Sequence, residues 1–207
     1  MSDGWLKTTV GEYSPFVYGK AIKKDDQRTM GIPVYGSNGI YTYSDSTLVQ
    51  QHAVIIGRKG SVGKVHLSAE KCWISDTAFY VIKDSLDESY FVYYLLSSLG
   101  LENMNTDAAV PGLNRDNAHR LEIKIPNSIE KRINLVEPLI KLDQKIHLNN
   151  QINQTLESIA QAIFKSWFID FDPVRAKIAA KLEGKNPELA AMCVISGKSE
   201  VELQQMA

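Results

Sequence analysis

The chain of 207 residues, 44% hydrophobic and 23% charged, is long enough for one substantial domain with an appendage, and its ordinary globular composition excludes disorder over most of the length. A formal net charge of -1 weighs against a simple nucleic-acid binder, because neutralising several phosphates usually takes a basic face. Cys72 and Cys193 lie far apart, His52, His66, His119 and His147 are scattered without metal-ligand spacing, and neither MSDGWLKTTV nor any apolar run resembles a leader or a membrane span, so the expectation is a cytoplasmic protein with reduced thiols, no metal and no membrane.

Residues 1 to about 128 are turn-rich, with short β-like runs at IPVYG (32 to 36), GIYTYS (39 to 44), AVIIG (53 to 57), KVHLS (64 to 68) and TAFYVIK (77 to 83). Gly36-Ser37-Asn38-Gly39 separates the first two as a hairpin signal. The stretch IIGRKGSVGKV (55 to 65) is glycine-rich and basic. It is not a phosphate-binding P-loop: the spacing between Gly57 and Gly63 is one residue too long, and Val65 stands where a metal-binding Ser or Thr is required. VHLS then alternates as a strand and opens no helix. A strand, a basic loop and a second strand can present Arg58, Lys59 and Lys64 to an anion such as a DNA backbone; a solvated hairpin tip is the plainer alternative. No acid falls between Asp45 and Glu70, so charge is sorted locally although the whole chain is balanced.

SYFVYYLLSSLGLE (89 to 102) predicts a helix, Leu113-Asn114-Arg115-Asp116 a capped helical turn, and LEIKIP (121 to 126) a strand stopped by proline. This part reads as a mixed α+β domain. From about residue 129 helix formers dominate. With Leu135 as a heptad d position, the seam runs through Leu139, Leu142, Ile146, Asn149, Asn153, Leu156, Ala160, Ile163 and Trp167, apolar except at the two asparagines. That pattern predicts a coiled coil, with Asn149 and Asn153 setting register. Pro138 either kinks this helix or marks its effective first turn. The stretch from 138 to 168 would be roughly 45 Å long at about 1.5 Å per residue, and needs a partner for its stripe; packing on its own domain is the alternative. FIDFDPVRAK (168 to 177) alternates aromatics with acids, and its proline is read as ending the helix. LEGKNPEL (182 to 189) turns the chain into a short helix and a polar tail. Domains are therefore expected at 1–128, 129–168 and 169–207.

The order of IIGRKGSVGKV, CWISDTAFYVI (72 to 82), the YFVYYLL helix, AAVPGLNRDNAHRLEIKIP (108 to 126), the long helix from IEKRI and the close FKSWFIDFDPVRAK resembles one half of the DNA-specificity subunit of type I restriction-modification systems. The resemblance runs over roughly residues 5 to 180. It implies a target recognition domain that reads a few base pairs of double-stranded DNA, mounted on a helix that spaces two such domains. It also implies assembly with methyltransferase subunits that carry S-adenosylmethionine, often with a restriction or translocase subunit. Family members usually hold two recognition domains and two spacer helices; one of each is found here, so the chain looks like a half-subunit that would restore the arrangement by forming a homodimer.

No Asn-Pro-Pro-Tyr type motif and no Phe-x-Gly-x-Gly cofactor loop occurs, Lys59 spoils GxSxG at Ser61, and Asp76, Asp170 and Asp172 lack nuclease spacing. The expectation is a non-catalytic subunit without a cofactor of its own. Its DNA-contact candidates are Arg58, Lys59 and Lys64 for phosphates or guanine, with Ser61 beside them, and Tyr35, Ser37, Asn38, Asn114 and Arg115 for base edges, where amides and guanidiniums make paired hydrogen bonds. Turn formation by Ser37 and Asn38 and helix capping by Asn114 are the alternatives there. Trp167, Phe168, Phe171 and Pro173 are candidates to dock a methyltransferase, or else to cover the helix end. The rival for the whole chain is a coiled-coil interaction module with no DNA role.

Overall fold

The computed structural model describes residues 4–104 and 112–206; positions 108 to 111 of the AAVPGLN motif lie outside them. The chain divides into two units, Met1–Lys141 and Leu142–Ala207. It is an α+β protein.

The first unit is organised by AVIIG. It forms the strand Ala53–Gly57 (β6), buried at every position, because an unbroken apolar run suits a strand covered on both faces. Alternation sends Val54 and Ile56 into one core, with Phe79, Val81, Phe91, Val92 and Leu96, while Ala53 and Ile55 enter a second core with Val49, Cys72, Ile74 and Ala78. Around β6 lie Val17–Tyr18 (β2), Ala78–Val81 (β9) and Val65–Ser68 (β7) in the antiparallel order β2-β9-β6-β7. A second four-stranded sheet holds Gln27–Arg28 (β3), Ile32–Gly36 (β4), Gly39–Ser44 (β5) and Trp73–Ile74 (β8) in the order β3-β5-β4-β8. The β4–β5 hairpin turns at Ser37 and Asn38 as expected, and β8 joins β4 in parallel. Trp5–Thr9 (β1) pairs with Glu122–Pro126 (β10) as an antiparallel ribbon.

Thr9 caps the short helix Val10–Tyr13 (α1) through a reciprocal bond with Glu12. Ser85 caps Leu86–Ser98 (α2), which starts three residues earlier than the sequence reading because the Ser85 hydroxyl accepts from Glu88 N. Arg115–His119 (α3) is the predicted capped turn.

The long helix Ile129–Phe164 (α4) contains Pro138 in its interior, so the proline is not its first turn. Asn134 forgoes the usual donor there; Val136 just before it stays buried. A π-helical turn, Lys165–Ile169, closes α4. Pro173 does not end a helix: it sits in the first turn of Asp172–Leu182 (α5), where its missing N–H is not needed. Asn186 caps Pro187–Ser196 (α6), and the segment read as a polar tail holds Glu200–Gln204 (α7), started by a Ser199–Glu202 capping box. No helix among the described residues is long and apolar enough to cross a membrane.

Candidate nucleic-acid interface

Three segments far apart in sequence meet beside β6. The loop after β6 is closed by backbone bonds from Gly57 N to Lys64 O and from Gly63 N to Gly57 O, both 2.8 Å. A Cβ on Gly57 would stand 2.0 Å from Ser61 O and 2.8 Å from Ser37 O, so only glycine lets the loop and the β4–β5 turn approach this closely. Arg58 N and Lys59 N both donate to Thr77 O, at 2.9 and 3.1 Å. Leu113 N donates to Arg58 O at 2.8 Å, and Lys59 forms a β-bridge with Gly112. The basic loop thus joins the 36-to-39 turn on one side and the start of α3 on the other.

Side chains reinforce the join. Lys64 Nζ donates to Asn38 Oδ1 at 2.7 Å. The Arg58 guanidinium lies 4.9 Å from the centroid of the Tyr18 ring and donates through Nη1 to the Asp76 carbonyl at 3.3 Å. Arg115 lies 5.0 Å from the same Tyr18 ring. Ser37 and Ser61 are half-buried, and Asn38, Lys59 and Lys64 exposed. Tyr35 is placed differently: its half-buried ring packs against the second core, and burial pushes its hydroxyl pKa up. Asn114 Oδ1 accepts from Asp116 N and Asn117 N at 2.9 and 3.1 Å, so that oxygen is engaged in capping α3.

Beside the turn, Gly36, Ser37, Asn38, Tyr41, Asp76 and Thr77 line an open depression of about 390 Å³. Tyr41 lies in a run read only as a strand and Tyr18 in no pattern, and the place of each on this face becomes visible only when strands pair. Asp76 sits in the turn between β8 and β9. Burial raises the Tyr41 pKa against an opposing hydrogen bond with Ser75, and keeps the phenol a donor. His66 lies under the turn, close to Gly39, and burial lowers its pKa. The face therefore offers cations, an amide, hydroxyls and the carboxylates of Asp76 and Asp116. Those are the groups that hold phosphates and read base edges. Among the described residues no group of three or more His, Cys, Asp or Glu side chains could hold a metal ion.

The heptad seam of α4 is open to solvent: Leu142 is 60% exposed, Ile146 57% and Leu156 58%. Leu139 and Ile163 are exposed as well, with Asn149, Asn153 and Ala160 between them. Ile152 and Ile159, which the heptad reading left out, are also exposed and widen the stripe. At its end the Phe168 ring meets Phe164 on one side and Trp167 on the other, with centroids 5.2 and 6.4 Å away and the rings tilted. Phe168 and Phe171 are exposed, while Trp167 and Pro173 are half-buried. Phe171 has φ 54°, the one described non-glycine residue with a left-handed backbone. Asp172 accepts from Ser166 Oγ at 2.7 Å, and Asp170 pairs with Lys165. Both acids are engaged locally around the π-helical turn.

Residues 2–158 match the family model described as the type I restriction modification DNA specificity domain. A 100-residue stretch, 47% of the chain, is 49% identical to the type I restriction enzyme HindI specificity subunit of Haemophilus influenzae and covers 22% of it. A 91-residue stretch, 42% of the chain, is 32% identical to the MjaIX specificity subunit of Methanocaldococcus jannaschii and covers 21% of it. In fold, the chain is similar to a type I restriction-modification S subunit from M. genitalium, with a TM-score of 0.71 at 15% identity over 79% of this chain and 46% of that one. It is also similar to the HsdS subunit from Thermoanaerobacter tengcongensis, with a TM-score of 0.51 at 18% identity over 81% and 46%. The chain thus spans less than half the length of these solved relatives, and its matched stretches about a fifth of the curated ones. With most of its length under the family model, the chain belongs to the type I restriction modification DNA specificity domain family.

Proposed function

We propose that the chain is a non-catalytic DNA-reading subunit, and that residues 1–128 recognise one half of a bipartite site in double-stranded DNA. The observation that carries this reading is the convergence of the Ser37–Asn38 turn, the Arg58 to Lys64 loop and the start of α3 on one polar face, in a chain of this family. Local sorting of charge answers the objection raised by the net charge of -1: binding to phosphates needs only the cations of this face.

Residues 129–168 serve as spacer and dimerisation helix. The exposed stripe on α4 supports this, since soluble monomers rarely leave a long apolar strip in water. In an antiparallel pair centred near residue 151, Asn149 of one copy meets Asn153 of the other and their amides satisfy each other. The aromatic exit at Trp167, Phe168, Phe171 and Pro173, with the helices of 169–207, docks methyltransferase subunits that bring S-adenosylmethionine; a restriction or translocase subunit can join the same assembly, which works in the cytoplasm. Two identical recognition units about a two-fold axis read the same bases on opposite strands, so the site is an inverted repeat with an unread spacer.

Retention of the purified protein on duplex DNA, followed against salt, tests the reading. Affinity should fall linearly with log salt. Arg58→Ala with Lys59→Ala should flatten that slope by about 0.9 for each phosphate that is no longer neutralised. Unaltered binding by this folded variant would return the loop to a solvated hairpin tip, and no retention at all would favour a coiled-coil interaction module.

A further inference from the structure

Tyr18 stands in none of the sequence patterns, yet two cations of the candidate face meet on it. Arg58 and Arg115 lie 4.9 and 5.0 Å from its ring centroid. The ring itself is held: Tyr18 pairs with Phe79 across β2 and β9, and the two rings meet edge to face at 4.9 Å and 65°. Phe79 is fully buried, whereas Tyr18 is 45% exposed. The paired rings thus carry an aromatic surface from the core out to solvent.

Two guanidiniums on one ring stand no more than the sum of those two distances apart, and each is otherwise held weakly. Arg58 has a long bond to the Asp76 carbonyl, 3.3 Å, and a more distant approach to the Phe79 ring, 5.7 Å. Arg115 Nε is buried without a hydrogen-bond acceptor, its neighbour Asp116 Oδ1 being 3.5 Å away. Free in water, such long side chains would scatter over many rotamers. A guanidinium resting on a ring loses that freedom and still directs its remaining N–H groups outward in a plane that suits phosphate oxygens. Like charges gathered this way favour an anion between or above them.

We propose that Tyr18 is a positioning residue of this face: its ring holds Arg58 and Arg115 as a paired seat for the phosphodiester backbone, and leaves base edges to the turn at Ser37 and Asn38. The proposal rests on the DNA-reading function above and adds a division of labour within it.

The test is binding of the full chain to sheared genomic duplex DNA at low salt. Tyr18→Leu should weaken binding about five- to tenfold, the scale of two modest cation–ring interactions, while Tyr18→Phe, which keeps the ring, should stay within about twofold. In an Arg58→Ala/Arg115→Ala background, Tyr18→Leu should have no further effect. Should Tyr18→Leu melt below the assay temperature, Tyr18→Met, which keeps apolar contact with Phe79, takes its place. Wild-type affinity in the folded Leu or Met variant would overturn the proposal while leaving DNA reading intact. So would equal losses in the Phe and Leu variants, or an undiminished loss without the arginines. Absence of binding by the unsubstituted chain would overturn DNA reading and this proposal together.

Discussion

Arg132 Nη2 lies 3.2 Å from Glu88 Oε1, with both side chains about nine-tenths buried. The Tyr13 hydroxyl donates to the same Glu88 oxygen at 3.3 Å, and the Arg132 guanidinium sits 5.3 Å from the Tyr13 ring. Since Glu88 is in the first turn of α2 and Arg132 in the first turn of α4, this pair fastens the root of the long helix to the rest of the first unit. Removing one partner strands the other charge in a low-dielectric site. Glu88→Ala should therefore cost about 3–5 kcal/mol, whereas the apolar pair Glu88→Leu/Arg132→Met should cost far less. Urea unfolding of the two variants checks this; a single substitution worth under about 1 kcal/mol would show that the pair is solvated.

His119 provides an acid-sensitive link to the same face. Phe16 N donates to His119 Nε2 at 2.9 Å, so the folded state uses the neutral imidazole as an acceptor. Burial, then the Arg115 charge, lower its pKa from 6.5. On acidification the unfolded chain takes its proton first. Stability is complete above about pH 7, falls as pH drops through about 6.5, and levels off once the folded form is also protonated. His66, lowered by burial, adds a change of the same sign. Thermal melts between pH 7.5 and 5 should show the fall, and His119→Gln, whose amide oxygen can still accept, should shrink it. An unchanged pH slope in His119→Gln would remove His119 as its source.

Gly57 tests how closely the loop and the turn must approach. A Cβ there meets two backbone carbonyls, which cannot swing aside as a flexible side chain could. Gly57→Ala should destabilise the first unit by about 3 kcal/mol and disturb Arg58 and Ser37 together. Amide hydrogen exchange would locate the damage; normal protection over both segments would mean that the close approach is dispensable.

Much of this architecture is legible in the residues. The AVIIG run announces a strand, although its cover on both faces is seen only in the fold; the 36-to-39 turn announces its hairpin, and Asn114 announces a capped turn. β1 escapes because WLKTT owes its order to β10 at the far end of the unit, and β2, β3 and β8 are two-residue strands with no period to read. Proline punctuates ambiguously: Pro173 belongs to a first turn, and Pro138 is tolerated inside a long helix. The candidate face is legible as separate pieces, the basic loop and the turn. That the loop and the capped turn of α3 share a support on Tyr18, through Arg58 and Arg115, is not, because it depends on the pairing of Tyr18 with Phe79 and on the bridge from Lys59 to Gly112.

The helix seam carries its own prediction. Ile146→Asp with Leu156→Asp places carboxylates at two exposed seam positions of α4. Because both sites face solvent within one chain, the fold should survive while self-association disappears. Sedimentation should show a dimer for the unsubstituted protein and a monomer for the variant. An unchanged mass would refute the seam.

The most direct test of DNA reading is a methylome map of host cells expressing the matching methyltransferase subunits, with and without this gene. The account predicts a modified inverted-repeat site, its two halves separated by unread bases, that disappears when the gene is removed. An identical set of modified sites in both cells would contradict it.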